Sequence, residues 1–90
     1  GAVIARITRG GFAVAGAVVA SQQADGQIYY DGPSITEWGL DATGAYGVAW
    51  VPSMLAGSAT LTVTKDATQT MFAAQPVYAD TVTFVLAEIP

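Results

Sequence analysis

The sequence predicts an all-β fold, a seven- to eight-stranded antiparallel β-sandwich, and three observations lead there. Apolar and polar residues alternate at period two in several short runs. Gly, Pro and Asp-Gly interrupt those runs at intervals of about ten residues, the spacing of sandwiches and barrels. Nowhere does a helical apolar pattern hold for three turns. The 90 residues are 52% hydrophobic and 11% charged, the opposite of a disordered composition, and their length suits one domain over 1–90.

Taken in order, residues 2–8 form the first strand, with Val3, Ala5 and Ile7 on one face and Ile4, Arg6 and Thr8 on the other. Arg9-Gly10-Gly11 ends it. Beyond Phe12, the run from Ala17 to Ser21 is the second strand. Asp25-Gly26 is the pair expected in a tight hairpin turn, returning the chain into Gln27, Ile28, Tyr29 and Tyr30. Asp31-Gly32-Pro33-Ser34 then breaks the chain before a short strand from Ile35 to Leu40. After the turn at Asp41 to Gly44, the residues Tyr46, Val48 and Trp50 repeat at period two and are expected to point inward, with Gly47 and Ala49 opposite. Pro52 to Gly57 reads as a loop with one helical turn at Ser53 to Ala56. Residues 58–64 alternate most cleanly, Leu61 and Val63 facing in and Thr60, Thr62 and Thr64 facing out, and Lys65-Asp66 turns the chain. Strands at Gln69 to Ala74 and Thr81 to Leu86 complete the set, the last with Val82, Phe84 and Leu86 inward and Thr81 and Thr83 outward.

Much catalytic chemistry is excluded by composition. The chain has no Cys, His or Asn, so there is no disulfide, thiolate nucleophile or Cys-ligated metal, no His-dependent catalytic arrangement and no N-glycosylation sequon. Carboxylates, Lys65, tyrosines and hydroxyls are all that remain for catalysis, and the expectation is a non-enzyme with no cofactor. Arg6, Arg9 and Lys65 are the only basic residues against seven acidic ones, a net charge of -4, which disfavours nucleic acid as a partner because phosphate binding relies on clustered cations. Residues 42–64 are uncharged and long enough to span a bilayer. They carry Gly44, Gly47, Pro52, Gly57 and several threonines without a flanking basic cluster, so no membrane insertion is expected. Arg6 and Arg9 interrupt the opening stretch, and no signal peptide is expected in it.

The carboxylates Asp25, Asp31, Glu37, Asp41, Asp66, Asp80 and Glu88 fall mostly in predicted turns, where forming the turn or solubilising it accounts for them. Asp25-Gly26 and Asp31-Gly32 come nearest to a calcium site, but no EF-hand spacing is present and no metal is expected. Arg6 and Arg9 are expected to pair with Glu37 or Glu88 or to blunt an edge strand. Of the aromatic residues Tyr29, Tyr30, Trp38, Tyr46, Trp50, Phe72, Tyr78 and Phe84, three (Tyr46, Trp50 and Phe84) are assigned to the core. Tyr29 and Tyr30 are consecutive and must point to opposite faces of a strand, so one faces away from the core. With Trp38 they are the candidate ligand-binding residues. An exposed flat ring stacks on a sugar, and it equally marks a protein contact, where Tyr and Trp are enriched.

The order of Val14-Ala15-Gly16-Ala17-Val18-Val19, Leu40-Asp41-Ala42-Thr43-Gly44-Ala45-Tyr46, Gly57 to Thr64 and Val82-Thr83-Phe84-Val85-Leu86 resembles the carboxypeptidase regulatory-like domains. The sequence departs from their pattern at Phe12-Ala13, where Pro is common, and at Leu40, where Thr usually precedes the Asp. The resemblance implies a prealbumin-like (transthyretin-like) or immunoglobulin-like Greek-key sandwich and a non-catalytic accessory domain of an extracellular or surface protein. The transthyretin-like fold also includes a purine-pathway hydrolase family whose site needs His, which this chain lacks. The Asp41 to Gly44 signature is read as a turn in which the Asp bonds backbone N–H groups two residues on and the Gly supplies a positive φ.

The expected function is therefore a structural or accessory module that contacts a protein partner or another copy of itself within a surface, filament or virion assembly. The low charge fraction supports this, since soluble domains usually keep about a quarter of their residues charged. The alternative is a carbohydrate-binding module that holds a glycan on Trp38 with Tyr29 or Tyr30.

Overall fold

The computed structural model of the chain describes residues 1–32, 38–39 and 41–90, and among them are nine strands and no helix. These are β1 (Ala2–Arg9), β2 (Phe12–Ala13), β3 (Val18–Ala20), β4 (Tyr29–Asp31), β5 (Trp38–Gly39), β6 (Val48–Val51), β7 (Gly57–Lys65), β8 (Thr68–Val77) and β9 (Val82–Glu88). They form two sheets. In the first, β6 lies between β1 and β4, β5 pairs with the far side of β4, β2 pairs with the end of β1, and β9 pairs with β1. The second runs β3-β7-β8. Every pairing is antiparallel except β1 with β9, which run parallel from Ala2 beside Val82 to Thr8 beside Glu88. The expected antiparallel sandwich thus carries one parallel pair, and there are nine strands where seven or eight were expected, the two-residue β2 being the one without a counterpart in the sequence reading. The strand expected from Ile35 to Leu40 lies outside the described residues apart from Trp38 and Gly39.

The core is made largely of small side chains. From the first sheet come Val3, Ala5, Ile7, Tyr30, Ala49, Val51, Val85 and Ala87, and from the second Val19, Ala59, Leu61, Val63 and Val77, all buried. The clean alternation of residues 58–64 places Leu61 and Val63 inward and the threonines outward, as expected. Two strands have the opposite phase to the expectation. In β6, Ala49 and Val51 are buried while Val48 and the indole of Trp50, with Tyr46 just before the strand, lie on the outer side; in β9, Val85 and Ala87 are buried while Val82, Phe84 and Leu86 are exposed. Pairing decides both cases. Val51 and Ala49 lie beside Val3 and Ala5, and Val85 lies beside Ala5; paired neighbours in a sheet share a face, so these residues must follow β1 into the interior.

Three other expectations are corrected. Asp25-Gly26 does not close a hairpin, because β3 and β4 belong to different sheets; the segment crosses between them, with Asp25 N–H donating to Ser53 O at 2.9 Å. Ser53 to Ala56 forms no helical turn, since Met54 is instead bridged to Ala24. Arg6 blunts no edge, because β1 is flanked by β6 and β9. Arg9 donates to the Pro90 carbonyl at 2.9 Å rather than to Glu88, and Glu37 lies outside the described residues.

Two buried hydroxyls join the layers. The Tyr30 phenol donates to Val19 O at 3.1 Å and accepts from Val19 N–H at 3.0 Å. The Thr43 hydroxyl donates to Val14 O at 2.6 Å and accepts from Ala17 N–H at 2.9 Å, while the Thr43 N–H donates to Ala17 O and the Thr43 carbonyl accepts from Gly16 N–H. Gly47, which precedes β6, has φ +66, and a Cβ there would lie 2.6 Å from Ile7 O. Only glycine supplies both the conformation and the room.

Tyr30→Phe leaves the N–H and C=O of Val19 buried without a partner. Its expected cost is about 1–3 kcal/mol, read as a lower urea midpoint with an unchanged m-value. Burial raises the Tyr30 pKa above its ordinary value, with the Val19 hydrogen bond acting in the opposite direction. The associated stability is therefore present below the ordinary tyrosine pKa of about 10 and is lost as pH rises through the higher folded value. Thermal midpoints taken across that range should show this alkaline loss in the wild type and not in Tyr30→Phe.

Candidate functional site

The alternation that buries one face of β1, β4, β6 and β9 turns the other outward, and here that face is apolar too. Register aligns its side chains in rows. Phe84 lies beside Ile4, Ile4 beside Trp50, and Trp50 beside Tyr29; in the next row Leu86 lies beside Arg6 and Arg6 beside Val48. Trp38 of β5 stands on the same side, opposite Asp31. Phe84 is 77% exposed, Leu86 69%, Val82 49% and Trp38 45%. These four residues alone expose on the order of 400–500 Å², within the about 300–600 Å² of the largest apolar patch on a typical monomer, a patch that is often functional. Arg6 is the one cation on this face and, among the described residues, has no ion-pair partner.

The sequence-derived candidates separate here. Tyr29 turns outward and Tyr30 inward, as consecutive strand residues must. Tyr30 is 3% exposed with its hydroxyl taken by Val19, so it forms no part of a surface site. Tyr29 and Trp38 both pack on Trp50, with ring centroids 5.8 and 5.4 Å away and interplanar angles of 39° and 49°. The rings form a tilted cluster rather than a shared plane. Trp50 and Phe84, assigned above to the core, therefore belong to the outer surface. The sequence does not signal this, because both parities of 82–87 are apolar except for Thr83.

At one end of this face, Asp31 organises the loop that enters β6. Its Oδ1 accepts from the N–H groups of Gly44 and Val48 and its Oδ2 from that of Tyr46, each at 2.8 Å. The turn chemistry expected of Asp41 is thus supplied by Asp31, while Asp41 is exposed. Gly44 is required for space rather than for a positive φ: a Cβ there would lie 2.7 Å from both the carbonyl oxygen and Oδ2 of Asp31. With both oxygens engaged by N–H donors, Asp31 is an acceptor in a backbone cradle. Among the described residues no three acidic side chains converge as a cation site would need.

Glu88 closes the opposite end. Its carboxylate accepts from the Thr8 hydroxyl and from Gly11 N–H at 3.2 Å. The Thr8 hydroxyl above all, with help from the N–H groups of Gly11 and Gly10, holds its carboxyl below the ordinary value against the opposing cost of desolvation. An open groove on the outer side of the second sheet is lined by Ser21, Gln23, Thr60, Thr62 and Met71. There the Gln23 side-chain oxygen already accepts from the Ser21 hydroxyl and from Thr60 N–H, leaving amide and hydroxyl groups but no nucleophile beside a base.

Compared with protein-family models, with curated proteins and with solved structures, the chain matches none.

Asp31→Asn places an amide where three N–H donors require an acceptor, and should cost about 1.5–3 kcal/mol. Faster hydrogen exchange at Gly44, Tyr46 and Val48 would locate the loss. Because the folded-state pKa of Glu88 is lowered, the stability it contributes is present above the ordinary carboxylate range of about 4.3 and is lost as pH falls through the lower folded value. Glu88→Gln should therefore have a lower thermal midpoint than wild type at neutral pH, and the difference should vanish on acidification.

Proposed function

We propose that this chain is a non-catalytic β-sandwich module that makes protein contacts through the outer face of its first sheet, as a structural or accessory part of a larger surface, filament or virion assembly. The observation that carries this is the apolar band running from Val82, Phe84 and Leu86 across Ile4 to Trp50, Tyr29 and Trp38. A soluble chain that keeps such a band uncovered loses the hydrophobic stabilisation that covering it would provide. The proposal includes the finer fold expectation, a prealbumin-like or immunoglobulin-like Greek key of the carboxypeptidase regulatory-like type, supported by the two-sheet architecture and by the order of the motifs from Val14 to Leu86. The half-exposed Trp38 favours the second reading, in which a glycan stacks on that ring beside Tyr29.

The minimal form of the proposal is self-association, and light scattering across a concentration series at neutral pH tests it. The expected result is a species heavier than the 9.2 kDa chain that returns to monomer in Phe84→Ser without a change in thermal midpoint. A monomer at every concentration overturns self-association. Retention of arrayed glycans by that monomer, lost in Trp38→Ala, would establish the carbohydrate reading in its place.

A further inference from the structure

Five strands of the two sheets have a single neighbour, and four of them are blocked. At β3, the pairs Val18 with Thr64 and Ala20 with Thr62 flank Val19, whose N–H and C=O are both taken by the Tyr30 hydroxyl. β2 and β5 are each only two residues long. At β8 the backbone is distorted by Ala74 at φ +58 and by a register shift against Ala59 and Leu61, and Pro76 has no N–H to donate. These are recognised devices against edge-to-edge pairing. The fifth strand, β9, has none of them. It is seven residues long, carries no Pro, no Lys or Arg and no residue at positive φ, and is uncharged from Val82 to Ala87.

The ladder shows which groups are open. Ala2 N–H donates to Thr81 O, and Ile89 N–H donates to Thr8 O, so the odd-numbered residues of this stretch face β1. Backbone direction alternates along a strand, and the N–H and C=O groups of Val82, Phe84, Leu86 and Glu88 therefore face the free edge. The residues with exposed apolar side chains also hold the unpaired backbone.

We propose that β9 is the docking edge for β9 of a second copy of this chain, the two strands pairing antiparallel about a two-fold axis at Val85. In that register Phe84 of each copy pairs with Leu86 of the other, and Val82 pairs with Glu88. The outer faces of the two copies then join into one continuous apolar surface. An antiparallel edge is complementary to itself, as a two-fold interface requires. Charge fits the same register. Two-fold pairing brings the turn before β9 of one copy, which holds Asp80 at φ +59, to the end of β9 of the other, where the Arg9 guanidinium is held on the Pro90 carbonyl. Neither Arg9 nor Asp80 has an ion-pair partner of its own among the described residues. A strand pair with its flanking side chains buries less than the about 800 Å² per partner of a standard interface, so the dimer is weak and concentration-dependent.

The inference rests on the protein-contact reading, and amide hydrogen exchange by NMR at low and high protein concentration separates the two. The expected result is fast exchange at Val82, Phe84 and Leu86 in dilute protein, slowed at least tenfold in concentrated protein together with a doubled mass in sedimentation. A doubled mass with these amides still fast overturns edge pairing and leaves face-to-face contact. A monomer throughout overturns edge pairing and self-association through the outer face alike. Arg9→Glu should weaken the dimer by tenfold or more, and adding Asp80→Lys should recover most of that loss. A dimer indifferent to both substitutions refutes the register. Neither side chain is buried, and the thermal midpoint of each variant reports that it folds.

Discussion

The phenol of Tyr30 sets the relation between the two sheets. It stands inward from β4, crosses the core and ends on the backbone of Val19 in the opposite layer, donating to one group and accepting from the other. A buried hydroxyl with both capacities met stabilises, and one left unmet costs more than the bond contributes. The distance from β4 to β3 is thereby limited to the length of one tyrosine. The rest of the interior conforms to this spacing: Ala5, Ala49, Ala59 and Ala87 are all buried, and the largest fully buried side chains are Ile7 and Leu61. The indoles of Trp38 and Trp50 lie on the outer side of the first sheet, where their register beside Asp31 and Ile4 places them.

This explains what could be read from the sequence and what could not. Alternation is informative when one face of a strand is polar, as in residues 58–64, where threonines mark the outer side and the phase is unambiguous. In 46–51 and 82–87 both faces are apolar. Side-chain size then suggests that Tyr46, Trp50 and Phe84 face inward, whereas the register against β1 places Ala49, Val51, Val85 and Ala87 there. The misassigned residues are those that make the outer face hydrophobic, so the apolar surface and the error in phase have the same cause. The opposite orientations of Tyr29 and Tyr30 were legible because they depend only on strand geometry.

The local expectation at Asp41 failed for a different reason. A turn signature presumes that the chain satisfies its own backbone over two or three residues. Here the acceptor is Asp31, 13 to 17 residues before the N–H groups it serves, and no short motif encodes that separation. Thr43 likewise joins segments more than 25 residues apart. Both are polar side chains that replace missing strand pairing, and both became identifiable only when the two sheets were assembled.

The parallel pairing of β1 with β9 has a mechanical consequence. Tension applied between the start of β1 and the end of β9 pulls the two strands along their lengths in opposite directions, so their hydrogen bonds are loaded together in shear instead of being unzipped one after another. A module strung between neighbours in a fibre would resist extension at that ladder first, and would yield only when most of its bonds broke at once.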